Sequence, residues 1–134
     1  MHELSIATSI VELVSDHVAR AGGGIVRRVT LRIGRLAGVH EESLRFSFDL
    51  VREGTPLAEA ALEVIEVPVR VWCPACETEV ELPGVQSFAC PVCRTRSGDI
   101  RAGRELDVES IELEASGGGE AAREVSPAGE ELGR

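Results

Sequence analysis

The sequence predicts an α+β fold: a small three-stranded sheet, two helices and one inserted module. Three observations predict it. Segments 4–20 and 41–53 repeat apolar residues at spacings of three and four, and each is closed by glycine. Segments 25–33, 61–72 and 105–113 are β-prone and rich in Val, Ile and Leu. Four cysteines, grouped as two Cys-x-x-Cys pairs, fall between the second and third of these strands.

In order along the chain, Leu4, Ala7, Val11, Val14 and Val18 form the stripe of the first helix, with Ile10 beside them. Glu12, Ser15, Asp16 and Arg20 take its other side. Gly22-Gly23-Gly24 ends it, because glycine tolerates the left-handed conformation of a C-cap. In the first strand Val29, Leu31 and Ile33 alternate with Arg28, Thr30 and Arg32, giving one buried and one wet face. Gly34 and Gly38 bound a loop carrying His40. Leu44, Phe48 and Val51 form the stripe of the second helix, Phe46 and Leu50 are expected to widen it, and Gly54 ends it. Glu41 and Glu42 suit the positive end of its dipole. Pro68 cannot donate a ladder bond, so it bends the second strand or places it at an edge. In the third strand Leu106 and Val108 share one parity and Ile111 and Leu113 the other, which predicts a bulge or a change of face near Glu109. Residues 114–134 hold five Gly and few apolar groups, and read as a disordered, mildly acidic tail.

The 134 residues carry 14 basic and 23 acidic groups, a net charge of -9. That disfavours binding to nucleic acid or an anionic membrane. The tail supplies -3 of it, so the remainder is only moderately acidic. Every cation is Arg, and the absence of Lys excludes a Walker A loop, a Schiff base and a lysine base. No Gly-x-Ser-x-Gly elbow, His-Glu-x-x-His helix or Rossmann glycine pattern is present, so no catalytic residue is assigned and an enzyme is not expected. No apolar run approaches a membrane span, and the N-terminal residues do not resemble a signal peptide. The expected compartment is the cytoplasm, where thiols stay reduced and cysteines read as metal ligands before disulfides.

Cys73-Pro74-Ala75-Cys76 and Cys90-Pro91-Val92-Cys93 are separated by thirteen residues. Two such knuckles deliver four thiolates to one tetrahedral ion, in a zinc-ribbon-like module. The closed sphere leaves no position for water, so the site is structural. Val80, Leu82, Val85 and Phe88 are the module's main apolar residues, too few for an independent core, so the ion must supply folding free energy. An iron centre and a redox dithiol are the alternatives. Arg94, Arg96, Arg101 and Arg104, opposed by Asp99, form a small basic patch that reads first as a solvated loop, then as a protein-docking surface, then as an RNA contact.

His2 is the sharper feature. Methionine is retained before a residue as large as His, so Met1 keeps a free α-amine. That amine, the backbone nitrogens of His2 and Glu3 and the His2 imidazole can place four nitrogens in a plane, as Ni(II) and Cu(II) prefer. Taken alone, a frayed terminal His is the commoner case. His17 reads as a helix-boundary residue, and His40 as a capping residue before a ligand.

Met1-His2-Glu3-Leu4-Ser5, Ile33-Gly34, Phe46-Ser47-Phe48-Asp49-Leu50-Val51 and the two Cys-x-x-Cys pairs, in that order, together resemble the HypA/HybF family of hydrogenase-maturation nickel metallochaperones. The resemblance covers residues 1 to about 113. It implies nickel binding at Met1, His2 and Glu3, and structural zinc at Cys73, Cys76, Cys90 and Cys93. Residues 1–70 and 105–113 would then be the nickel-binding α+β domain, 71–104 the inserted zinc module and 114–134 the tail. The implied partners are the GTPase HypB, the [NiFe]-hydrogenase large-subunit precursor and urease maturation proteins. Some members carry a nickel-binding His directly after the last Cys. Arg94 stands there in this chain, which makes His40 the substitute candidate. The alternative function is a zinc-ribbon interaction or regulatory module without nickel transfer.

Overall fold

The computed structural model describes residues 3–115 and 123–125. They form an α+β structure in which helix α1 (Glu3–Arg20), strand β1 (Gly24–Gly34), helix α2 (Glu41–Val51), and strands β2 (Ala61–Val67), β3 (Arg70–Cys73), β4 (Thr78–Glu81), β5 (Ile100–Ala102), β6 (Leu106–Ala115) and β7 (Arg123–Val125) follow in order. The strands make a four-stranded sheet, β2-β1-β6-β7, and a three-stranded sheet, β4-β3-β5.

The chain divides into two compact units. One holds the described residues of Met1–Leu31, Val39–Val64 and Asp107–Arg134, and the other holds Arg32–Gly38 and Ile65–Leu106. The second is wider than the 71–104 module expected from the cysteines, because it also takes in the ends of β1 and β2, the residues that follow β1 and the approach to β3.

In the first unit, Ile6, Ala7, Ile10, Val11, Val14 and Val18 of α1 are buried. Leu4, expected in the stripe, is 50% exposed. On a helix of 3.6 residues per turn it lies roughly 90° from the stripe's centre. The helix closes as the glycines predict. Gly22 and Gly23 have φ of 97° and 93°, and the Gly23 N–H donates to the Val18 carbonyl at 2.8 Å. In α2, Leu44, Ser47 and Phe48 are buried, but Phe46 is 67% and Leu50 60% exposed. These two do not widen the stripe; Phe46 points roughly 160° away from it on the same wheel. Phe48 is the largest fully buried side chain. Its replacement by Ala should cost about 3–5 kcal/mol in urea unfolding.

Along β6, Val108, Ile111 and Leu113 are all buried, so the strand does change its buried parity near Glu109. Arg28 of β1 pairs with Glu112 at 3.6 Å, and Arg27 pairs with Glu114. Two corrections concern strands. The expected strand 61–72 is two strands in different sheets, because the ladder breaks at Pro68. The expected tail also contains structure: Glu114 and Ala115 extend β6, and β7 pairs antiparallel with it. The remaining tail residues lie outside the described ones.

In the second unit, β3 pairs antiparallel with β4 in the register Val71↔Val80 and Cys73↔Thr78, and with β5 through Val71↔Ile100. Val69, Val71 and Leu82 form its buried cluster, with Leu36, Val80, Phe88 and Ile100 packed against it. Val85, expected among the module's apolar residues, is exposed. Gly34 is required by close backbone approach: a Cβ there would lie 2.0 Å from the Gly103 carbonyl oxygen. The Gly34 N–H and the Leu36 N–H donate to Glu105 and Gly103 carbonyls, each at 2.7 Å. Gly34→Ala should therefore lower stability by about 3 kcal/mol, read as a shift in denaturant midpoint.

Candidate metal centre

The four thiols converge. Their Sγ atoms all lie within 4.8 Å of one another. Cys73 and Cys93 are 3.4 Å apart and Cys76 and Cys90 3.9 Å apart, far beyond a disulfide bond. Around a tetrahedral ion with metal–sulfur bonds of about 2.3 Å, the sulfurs would sit about 3.8 Å apart. The separations fit one such ion.

Local backbone builds both halves alike. β3 delivers Cys73, and a turn brings Cys76 back so that its N–H donates to the Cys73 sulfur at 3.4 Å. In the second knuckle, the Val92 N–H donates to the Cys90 sulfur, also at 3.4 Å. The residue after each pair is left-handed, Glu77 at φ 54° and Arg94 at φ 66°. The second knuckle is further closed by Cys90 N–H to the Thr95 carbonyl and Arg94 N–H to the Cys90 carbonyl, both 2.8 Å. Because a non-glycine residue is strained in the left-handed region, Arg94→Gly should stabilise the knuckle by about 0.5–1 kcal/mol in thermal unfolding.

The thiols perturb one another as a site for a cation would. Hydrogen bonding with Thr95, whose Oγ1 lies 3.3 Å from its sulfur, brings Cys93 down to about 6. The Cys93 sulfur is in turn the main cause that pushes Cys76 up to about 12, followed by Cys73. The backbone N–H of Cys93 is the leading cause that lowers Cys90. Four thiolates at these distances repel, so full ionisation requires a cation among them. Four sulfurs and no carboxylate or water position select a soft or borderline ion.

The basic patch is smaller than its sequence suggests. Arg101 makes two 2.9 Å bonds to Asp99 and stands 5.2 Å from the Trp72 ring centroid. That guanidinium holds the Asp99 carboxyl below its ordinary range. Trp72 is itself held by Ser97, whose hydroxyl donates to the Trp72 carbonyl at 2.5 Å. Arg94 and Arg96 remain exposed.

Of the N-terminal candidates, Met1 and His2 lie outside the described residues. Glu3 opens α1, and its carboxylate accepts the His40 backbone N–H at 3.1 Å. His40 is the N-cap of α2: its Nδ1 accepts the Ser43 N–H at 3.2 Å and lies 3.0 Å from Ser43 Oγ. Glu3, Leu4, His40, Glu42, Ser43, Phe46 and Ser47 line a cavity of about 320 Å³. Sequence reasoning named Glu3 and His40 separately but missed that they meet, since 37 positions separate them and no local pattern pairs them. It also missed Thr95, which only the knuckle's curl brings to Cys93.

Residues 1–113 match the family model described as hydrogenase/urease nickel incorporation, metallochaperone, hypA. A protein named hydrogenase maturation factor HypA from Chloroflexus aggregans is 53% identical over 112 residues, covering 84% of this chain and 98% of that protein. One of the same name from Roseiflexus is 45% identical over 114 residues, covering 85% and 93%. The solution structure of the Ni metallochaperone HypA from Helicobacter pylori superposes with a TM-score of 0.63 at 23% identity, covering 87% of this chain and 100% of that one, which shows a shared fold. The order of helices and strands, the four-thiol cluster and these matches agree: the chain belongs to the HypA family of hydrogenase and urease nickel-incorporation metallochaperones.

Proposed function

We propose that this chain carries Ni(II) at its first residues and passes it to the [NiFe]-hydrogenase large-subunit precursor, while its four cysteines hold a structural zinc ion. The nickel ligands are the Met1 amine, the backbone nitrogens of His2 and Glu3, and the His2 imidazole. One observation carries this most: α1 begins at Glu3, with the Glu3 carboxylate tied to the His40 loop. The first N–H groups of a helix have no intrahelical acceptor, so ionising the His2 and Glu3 amides breaks no helix bond. The positive end of the helix dipole also favours the resulting anionic nitrogens. Cargo held at a chain end, and not in a closed cage, can be approached and taken over by a partner. That transfer makes and breaks coordination bonds only, so no catalytic turnover is involved.

His40 is the candidate for a further nickel ligand. Its Nδ1 is engaged as the cap of α2, so only Nε2 is available. With Nδ1 accepting, neutral imidazole carries its proton on Nε2. Ligation through Nε2 therefore moves the proton to Nδ1, which gives up the cap bond from the Ser43 N–H and donates instead to Ser43 Oγ at 3.0 Å. His40→Ala should lower stability by about 1 kcal/mol through the lost cap, and should weaken nickel binding without changing its stoichiometry.

Zinc at Cys73, Cys76, Cys90 and Cys93 is supported by the sulfur spacing and the all-thiolate donor set. When bound, it supplies the folding free energy that the small cluster around Val71 lacks. HypB and urease maturation proteins are the further partners in this reading, and the cytoplasm, which keeps the thiols reduced, is the compartment. The test is equilibrium dialysis with metal analysis. Wild type should bind about one nickel beside one zinc per chain, and His2→Ala should keep the zinc and bind no nickel. Iron in place of zinc, or full nickel binding by His2→Ala, would refute the respective assignment.

A further inference from the structure

We propose that β7 is a guard strand, which occupies the outer edge of β6 and keeps the chain from pairing edge to edge with a second copy of itself. In the sheet order β2-β1-β6-β7, β6 is interior only because β7 flanks it. β7 pairs antiparallel in the register Ile111↔Val125, Glu112↔Glu124 and Leu113↔Arg123. It lies beyond residue 113, where the family match ends. The Chloroflexus aggregans relative is matched over 98% of its own length by 112 residues of this chain, which leaves it almost none with which to build a counterpart. The strand is thus an addition to the family's core.

An uncovered β6 edge would present unpaired amide and carbonyl groups, the usual template for association. Its acidic side chains guard it poorly, since Glu112 and Glu114 are already paired with Arg28 and Arg27 of β1. The occupant favoured is a second β6, because an antiparallel edge is self-complementary about a two-fold axis. With that axis at Ile111, Ser110 faces Glu112 and Glu109 faces Leu113, so no acid faces an acid directly. β7 pairs over three residues and reaches β6 through residues 116–122, which include three consecutive glycines. A tether of this kind can close a hairpin, and so short a ladder can be displaced.

Sedimentation velocity tests this on three proteins: the full chain, a chain ending at Ala115, and the full chain with Arg123→Pro and Glu124→Pro together. Successive amides point to opposite sides of a strand, so the double substitution removes whichever one faces β6. Both altered proteins should self-associate at least about tenfold more tightly than the full chain. Among the amides of Ile111–Leu113, those that face away from β1 should exchange fast in their dilute monomers and slowly in their dimers. Equal sedimentation of all three proteins overturns the proposal. So does a dimer in which those amides exchange as fast as in the monomer.

Discussion

Replacing Cys90 with Ser should unfold the segment Ile65–Leu106 while α1 and α2 stay helical. The reason is the size of the apolar cluster in that segment. Val69, Val71 and Leu82 are its buried members, and the four hydrophobics around them are only partly buried. A unit of this size does not fold on its core alone and needs a staple. Binding of a structural zinc at four thiolates is worth on the order of 10 kcal/mol of folding free energy, and removing one thiolate forfeits much of that. Cys90 is also buried, and its sulfur and backbone hold the curl of the second knuckle through the Val92, Thr95 and Arg94 contacts. The readout is specific. The one tryptophan of the chain, Trp72, lies on β3 beside Cys73 and under Arg101, so its fluorescence reports this unit. Far-UV circular dichroism reports the two helices. Cys90→Ser, or a strong chelator on the native protein, should red-shift the Trp72 emission and leave most of the helical signal. Acid should do the same, because protons compete with the ion for thiolates. Unchanged emission after complete metal removal would mean that the unit folds without its ion.

Much of this was legible in the sequence because it depends on local periods. The stripe of α1, its glycine stop, the alternation in β1, the change of face in β6 and the two knuckles all follow from spacings of two, three or four residues. Where the sequence misled, the cause was non-local or angular. Phe46 and Leu50 were counted as apolar without regard to azimuth, and they face away from the core. Segment 61–72 looked continuous because composition does not show that Pro68 divides two sheets. β7 carries no strand signal of its own; its pairing partner, the edge of β6, specifies it. At the metal centre the ligand identities were readable. The Thr95 contact that lowers Cys93, and the Cys93 contact that raises Cys76, were not, because they arise only when the knuckles curl.

Nickel binding should vanish when residues are placed ahead of Met1, although every side chain remains. A preceding residue converts the α-amine into an amide. That removes one of the two nitrogens, amine and imidazole, that bind without giving up a backbone proton, and it adds bulk where the square plane closes. The loss should exceed about 100-fold in affinity, the upper range seen when support around a metal site is removed, since here a ligand itself is lost. The same chemistry fixes the pH dependence. Binding requires a deprotonated amine, a neutral imidazole and two ionised amides, so affinity should rise steeply with pH and nickel should leave on acidification. A site made of side chains elsewhere would ignore what precedes Met1. The Glu3–His40 contact should survive the extension, so α1 and α2 should keep their stability and separate loss of nickel from loss of fold.

The most direct measurement is therefore nickel stoichiometry by equilibrium dialysis, made side by side on the chain that begins with a free Met1 amine and on one with Gly-Ser added before it. The first should hold about one nickel and the second none, with zinc at about one in both. Equal nickel in the two proteins would contradict an N-terminal site.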